Sequence, residues 1–261
     1  MKRSHHPRKR FGQNFLRDEG VISHIASAIH PQPADHRVEI GPGQGALTDS
    51  LVSSGAQLDV IELDRNLVPG LLAAFSVHRN FKLHSADALT FDFSSLVAAN
   101  EQLRVVGNLP YNISTPVIFK LLENAGIIRD MHFMLQLEVV QRLAARPGSK
   151  HWGRLGIMTQ YHCEVEHLFD VPPEAFDPPP KVQSAIVRLS PWREPKWPGC
   201  KEETLRKVVQ AAFAQRRKTL RNNLKGLIDV TRLESLGIDP GARAETLELQ
   251  QFIEMANSTD D

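Results

Sequence analysis

Val38-Glu39-Ile40-Gly41-Pro42-Gly43-Gln44-Gly45-Ala46-Leu47-Thr48-Asp49-Ser50-Leu51 is the stretch on which the fold turns. An apolar strand end at 38–40 runs into three glycines in five residues, and a run suited to a helix follows at 46–51. Bare backbone at such a turn lets the chain approach a ligand closely, although a tight structural turn uses glycine in the same way. Outward from this loop, strand signals recur at 58–63, 81–84, 103–107 and 131–135, each separated from the next by helix-length sequence. That alternation predicts a parallel sheet with crossover helices. After the fourth strand, Ser114 offers an N-cap and Pro116 a first-turn proline for a helix through 117–122.

The later part changes character. Prolines at 172–173 and 178–180 bracket Phe176 in a rigid, extended segment, and 182–189 reads as a closing strand. Three prolines and two tryptophans at 191–199 mark a boundary, beyond which Leu205, Val208, Val209, Ala212 and Phe213 recur at helical spacing. The expected organisation is an α/β domain over 1–192, with a basic arm at 1–10, and a small all-helical domain over 200–261.

With 261 residues, 41% of them hydrophobic, the chain is long enough to bury a proper core, which excludes disorder as its main state. Cys163 and Cys200 lie far apart without metal-ligand spacing, so no zinc site or disulfide framework is implied. Neither a membrane-spanning apolar run nor a secretory signal is evident, and the cytoplasm is the expected compartment. The formal charge of +1 conceals a segregation. Residues 1–10 carry +5 and residues 204–228 carry +7, both without acids, so the remainder holds −11. Two basic segments on an acidic body suit a polyanionic partner, with two solvated charge runs as the alternative.

Chemistry concentrates where strands end. Glu62 closes the second strand 21 residues after Gly41, the position from which a carboxylate accepts from ribose hydroxyls. The glycine spacing is G-x-G-x-G, since Ala46 breaks the dinucleotide pattern, so a nucleoside cofactor without a pyrophosphate is favoured. Asp87 suits either a contact to an adenine amino group or a helix N-cap. At the end of the fourth strand stand Asn108, Leu109, Pro110 and Tyr111. An exocyclic adenine amine is a poor nucleophile because its lone pair is delocalised into the ring. The Asn108 side-chain oxygen and the Leu109 or Pro110 carbonyl can accept its hydrogens, drawing the nitrogen toward tetrahedral geometry, while Tyr111 offers a face for stacking a base.

Residues 11–16 (FGQNFL), 39–48 (EIGPGQGALT), 108–111 (NLPY), 176–184 (FDPPPKVQS) and 215–220 (QRRKTL) together resemble the ribosomal RNA adenine dimethyltransferases, the bacterial small-subunit (16S) group above all. The resemblance runs from about residue 9 to 256. It implies a Rossmann-like class I methyltransferase sheet and transfer of methyl groups from S-adenosylmethionine to N6 of two adjacent adenosines. Those adenosines lie in the loop of the 3′-terminal hairpin of 16S rRNA, in the 30S subunit or its precursor, late in its biogenesis, and the enzyme would act as a monomer.

By position, the resemblance implies that Asn14 and Leu16 touch the methionine portion of the cofactor. Gly41 and Gly43 line its loop, Glu62 holds the ribose, Asp87 with Ala88 the adenine, and Asn108 both the methyl region and the target amine. Phe176 would sandwich the flipped adenine opposite Tyr111. Lys9, Arg10, Arg216, Arg217, Lys218 and Arg221 would contact RNA. Two other readings are a 23S rRNA adenine methyltransferase and a small-subunit assembly factor for which methylation is a release step.

Overall fold

The computed structural model, which describes residues 14–259, sets the glycine loop between a buried strand and a helix as its sequence predicts. In chain order the elements are β1 (Phe15–Leu16), α1 (Glu19–Ile29), β2 (His36–Ile40), α2 (Ala46–Val52), β3 (Gln57–Ile61), α3 (Val68–Phe75), β4 (Phe81–His84), β5 (Leu103–Asn108), α4 (Ser114–Leu122) and β6 (Ile128–Gln136). There follow α5 (Leu137–Leu143), α6 (Arg154–His162), β7 (Cys163–Val171), β8 (Phe176–Asp177), β9 (Ser184–Pro191), α7 (Glu202–Ala212), α8 (Leu220–Asn223), α9 (Val230–Ser235) and α10 (Leu249–Asn257). No helix of the described residues is long and apolar enough to cross a membrane.

Seven strands form one sheet in the order β4-β3-β2-β5-β6-β9-β7. The pairs from β4 to β6 are parallel, and β9 joins β6 antiparallel. The chain moves outward from β2 to β3 and β4, then returns to β5 on the other side of β2. This reversal opens a crevice beyond the carboxyl ends of β2 and β5. Gly107 allows the two strands to approach there, since a Cβ at this position would lie 2.6 Å from the Ile40 carbonyl oxygen. One face of the sheet, with Val60, Val106 and Met134, packs on Ile25 and Ile29 of α1, Leu51 of α2, and Leu71 and Phe75 of α3.

At the opposite, amino end of the central strands, Arg37 is fully buried and Arg104 nearly so. Arg37 donates to the Leu51 and Gln32 carbonyls and to Ser54. Arg104 spans Asp35 at 2.8 Å and both oxygens of Asp130 at 3.1 Å, and it also caps the end of α1 through the Ile29 carbonyl. Every guanidinium here is paired, as burial of charge requires.

Contacts group the described chain into two units: residues up to Val140 with Glu166–Pro191, and Gln141–Val165 with the residues from Trp192 onward. Residues 141–165, placed by sequence in the first domain, thus group with the C-terminal helices. The cause is local. The Trp152 indole N–H donates to the Leu247 carbonyl at 2.9 Å, and the Gly148 N–H donates to the Glu245 carbonyl. In this second unit the periodic residues of α7, Leu205, Val208, Val209 and Ala212, are all buried, and the rings of Phe213 and Phe252 stack at 5.8 Å.

Two local expectations change, and one strand is added to those the sequence showed. Ser114 is the first helical residue of α4, not its cap, and its hydroxyl donates to the Tyr111 carbonyl. A three-residue 3₁₀ turn, Pro173–Ala175, interrupts the segment expected to be fully extended. β7 gave no apolar alternation, because Glu164, Glu166, His167 and Asp170 occupy this edge strand.

Candidate active site

The crevice at the strand reversal is a cavity of about 350 Å³ with a mainly apolar wall. Asn14, Leu16, Gly41, Gly43, Glu62, Asp87, Ala88, Asn108, Leu109, Pro110 and Tyr111 all line it. The positions singled out in sequence therefore converge, although they span almost a hundred residues.

The glycine loop is shaped by its neighbours. Gly45 has φ +85°, and a Cβ there would lie 2.5 Å from the Phe75 ring, so a side chain is excluded both by conformation and by space. Above the loop, the Arg17 guanidinium donates to the Gln44 side-chain oxygen at 2.6 Å. Glu62, just past β3, accepts the Asp64 backbone N–H at 2.6 Å. Burial pushes its carboxyl up to about 7 against the lowering effect of the Asp64, Gly43 and Leu63 backbone N–H groups.

A second carboxylate shares this wall. Glu39, fully enclosed in β2, accepts the Thr48 hydroxyl at 2.6 Å, and burial, reinforced by the nearby Glu62, raises it to about 7. Two buried carboxylates beside one cavity suit a ligand that brings hydroxyl donors and positive charge. Asp87 closes the adjoining corner, where one oxygen accepts the Leu89 N–H at 2.9 Å and fixes the turn around Ala88. No helix begins here, so the helix N-cap weighed for Asp87 is replaced by a side chain that closes a turn in the cavity wall.

Asn108 is the last residue of β5, beside Met134 of β6. Its side-chain nitrogen donates to the Asn14 backbone carbonyl at 3.3 Å, which leaves the side-chain oxygen as the atom free to accept. Pro110 already accepts the Ile113 N–H through its carbonyl. The Tyr111 ring lines the cavity, with its hydroxyl tied to the Ser184 hydroxyl at 2.9 Å, and burial raises its pKa.

Phe176 is placed elsewhere. It is 4% exposed, pairs with Leu16 across the β1–β8 ribbon, and packs in the core with Phe15 and Leu16 rather than lining the cavity opposite Tyr111. The Ala175 carbonyl, which accepts the N–H groups of both Arg17 and Asp18, holds this segment to the chain after β1. Phe176 therefore backs the residues that touch the cavity.

Among the basic candidates, Lys9 and Arg10 lie outside the described residues. Arg216 is engaged internally, donating to Glu245 at 3.1 Å and to the Lys150 carbonyl. Arg217, Lys218 and Arg221 are exposed and make no side-chain hydrogen bond or ion pair to any described residue. Sequence reasoning assigned no role to Glu39, Ser184 or His132. Glu39 carried a signal, an acid between two strand valine and isoleucine positions, whereas Ser184 and His132 are recognisable only once β6 and β9 pair.

The profile of the ribosomal RNA adenine dimethylase family matches residues 4–261. A ribosomal RNA small subunit methyltransferase A of Pseudomonas aeruginosa is 61% identical over 97% of this chain and 94% of its own length. A protein of the same name from Saccharophagus degradans is 56% identical over 97% and 95%. Among solved structures, the 23S rRNA methyltransferase ErmE is 30% identical with a TM-score of 0.76, covering 95% of this chain and all of that one. A dimethyladenosine transferase from Plasmodium falciparum, 24% identical, superposes with a TM-score of 0.80 over 92% and 95% and shares the fold.

Proposed function

The chain belongs to the ribosomal RNA adenine dimethylase family, and from that premise we propose that it dimethylates N6 of two adjacent adenosines in the 3′-terminal hairpin loop of 16S rRNA. It would do so as a cytoplasmic monomer, on the 30S subunit or its late precursor. S-adenosylmethionine fits the cavity: the Cβ-excluding glycine loop leaves room for its methionine portion beside Asn14 and Leu16, with Gly41 and Gly43 as the floor. Glu62 would take the ribose hydroxyls, and the second oxygen of Asp87, beside Ala88, the adenine amino group. When bound, this cofactor supplies an electrophilic methyl group.

The chain's residues make the amine ready to receive it. The Asn108 side-chain oxygen accepts one amino hydrogen. Since the Pro110 carbonyl already serves Ile113, the Leu109 carbonyl is the better-placed second acceptor. Two acceptors on one nitrogen draw its lone pair out of the ring plane and toward the methyl. Tyr111, held by Ser184, stacks the base once it is flipped out. A hairpin loop makes flipping inexpensive because its bases are already partly unstacked. Arg217, Lys218 and Arg221, with Lys9 and Arg10, would contact phosphates.

The observation that carries this reading is the orientation of Asn108: its nitrogen is committed to Asn14, and its oxygen remains for the substrate. The test is incubation with labelled S-adenosylmethionine and unmethylated 30S and 50S subunits together, followed by separation of the rRNAs and nucleoside analysis. Label in N6,N6-dimethyladenosine from the 3′ hairpin supports the reading, and label confined to 23S rRNA overturns it. The Asn108→Ala variant separates catalysis from an assembly role: binding to immature subunits should persist while methyl transfer is lost.

A further inference from the structure

The proposed cofactor carries a carboxylate toward a wall that is itself acidic. Four carboxyl side chains, Glu39, Glu62, Asp64 and Asp87, line the cavity, and no Lys or Arg among the described residues does. Such a wall suits the sulfonium, the ammonium and the hydroxyls of S-adenosylmethionine, but it repels the carboxylate at the end of the methionine portion. An anion brought there calls for a cation close by.

One cation stands at that end. Arg17 directly follows Leu16, and the segment from Asn14 to Arg17 runs across the glycine loop, where a Cβ added to Gly43 would lie 3.2 Å from the Phe15 ring. The backbone of Arg17 is fixed from behind, since its N–H donates to the Ala175 carbonyl at 2.8 Å. Its side chain reaches forward to the loop, where one terminal nitrogen donates to the Gln44 side-chain oxygen at 2.6 Å. Gln44 lines the cavity together with Asn14 and Leu16, so this contact brings the guanidinium to the rim at the end where the methionine portion is placed.

No described residue occupies this charge. Arg17 is exposed and forms no ion pair with any of them, and the bond to Gln44 uses one of the five guanidinium N–H donors. Asp18, the acid next to it in sequence, is engaged as the N-cap of α1 and accepts the Val21 N–H at 2.9 Å. A guanidinium with donors to spare suits a carboxylate, which takes two of them at once.

We propose that Arg17, steered by Gln44, is the counter-charge for the cofactor's carboxylate and makes the site select a methyl donor with an intact amino-acid tail; this rests on the S-adenosylmethionine-dependent function proposed above. Arg17 falls between the 11–16 motif and α1, and only the approach of β1 to the glycine loop gives it a role. The demethylated product keeps its carboxylate, so Arg17 tightens donor and product alike and does not itself drive the chemical step.

The test uses ligands that differ in the group Arg17 would contact. The cofactor-free protein is titrated calorimetrically with S-adenosylmethionine, with S-adenosylhomocysteine and with decarboxylated S-adenosylmethionine, which keeps the sulfonium, the ammonium and the adenosine. Arg17→Gln should weaken binding of the first two by about 5-fold or more. The third should bind equally well or slightly tighter, because a cation facing a cation has been removed. Arg17→Lys, which keeps the charge but not the fork, should recover part of the loss. An equal loss for all three ligands would show that Arg17 only supports its segment, and no loss for any would remove it from the site; either result overturns the proposal. So does a wild type that binds the decarboxylated compound as tightly as S-adenosylmethionine, a comparison that needs no variant to fold. A wild type that binds neither S-adenosylmethionine nor S-adenosylhomocysteine would instead overturn the proposed cofactor, and the role of Arg17 with it.

Discussion

The hydroxyl of Ser184 decides where the Tyr111 ring sits, and this illustrates what a single residue contributes to the site. The 2.9 Å contact joins the loop after β5 to the first residue of β9, so the stacking face is fixed before any base arrives. Ser184→Ala should leave the fold and the affinity for S-adenosylmethionine unchanged. A hydrogen bond of this kind is worth about 1 kcal/mol net, so methyl transfer should slow by about 5-fold, with a raised KM for RNA. Steady-state kinetics on 30S subunits checks this, and an unchanged KM for RNA would remove Ser184 from the positioning of Tyr111. Glu62, Asp87, Asn108 and Tyr111 were legible in sequence because each follows a recognisable strand, and strand ends face the crevice. Ser184 was quoted within a motif yet had no visible role, since its partner is 73 residues away. The placement of Phe176 was not legible for a related reason: proline framing speaks of rigidity, but where the ring packs depends on the pairing of β8 with β1.

At the scale of elements, the turn between α7 and α8 shows how a basic run divides its labour. The sequence presents Arg216, Arg217 and Lys218 as equivalent charges. The fold does not treat them so, because Arg216 ties this turn to Glu245 and to the Lys150 carbonyl, while its two neighbours and Arg221 project unpaired among the described residues. Arg216→Ala should cost about 1 kcal/mol of stability, since the pair is exposed, and lower Tm by about 2–4 °C. Arg217→Ala, Lys218→Ala and Arg221→Ala should leave Tm unchanged. Each should weaken RNA binding and reduce the slope of log affinity against log salt by about 1. Thermal melts and salt-dependent binding to a 3′-hairpin RNA separate the two classes, and the division fails if Arg216→Ala alone changes the salt slope. The parallel strands were readable from their apolar runs. The edge strand β7 and the grouping of residues 141–165 with the C-terminal helices were not, because one depends on polar residues at a sheet edge and the other on contacts such as Trp152 to Leu247.

At the scale of the whole molecule, the near-neutral total charge hides buried groups whose titration shapes stability. Glu39 and Glu62 are raised from an ordinary 4.5 to about 7, chiefly by burial. His36 is also raised: burial works to lower it, but its hydrogen bonds to the Asp59 and Glu101 carboxylates prevail. All three have folded pKa values above their unfolded ones, so the folded state retains protons that the unfolded chain has released. The stability they contribute is therefore present at low pH and is lost as pH rises, from 4.5 to about 7 for the two glutamates and above 6.5 for His36. Asp59, lowered to about 2 by His36, His84 and Gln57 in spite of its burial, acts in the opposite sense. Its contribution is complete above 3.8 and is lost only as pH falls toward 2. The two sets together leave a stability optimum between about pH 3.8 and 4.5 for the cofactor-free protein, with stability declining from there toward pH 7. Urea unfolding should give a higher midpoint at pH 5.5 than at pH 8, and Glu39→Gln should flatten that difference. Saturating S-adenosylmethionine should flatten it further, because ribose hydroxyls donating to Glu62 favour its ionised form and remove the penalty of charging it at pH 8. A midpoint that is equal or higher at pH 8 without cofactor would show that Glu39 and Glu62 are already ionised in the empty cavity, and that the wall meets its ligand charged.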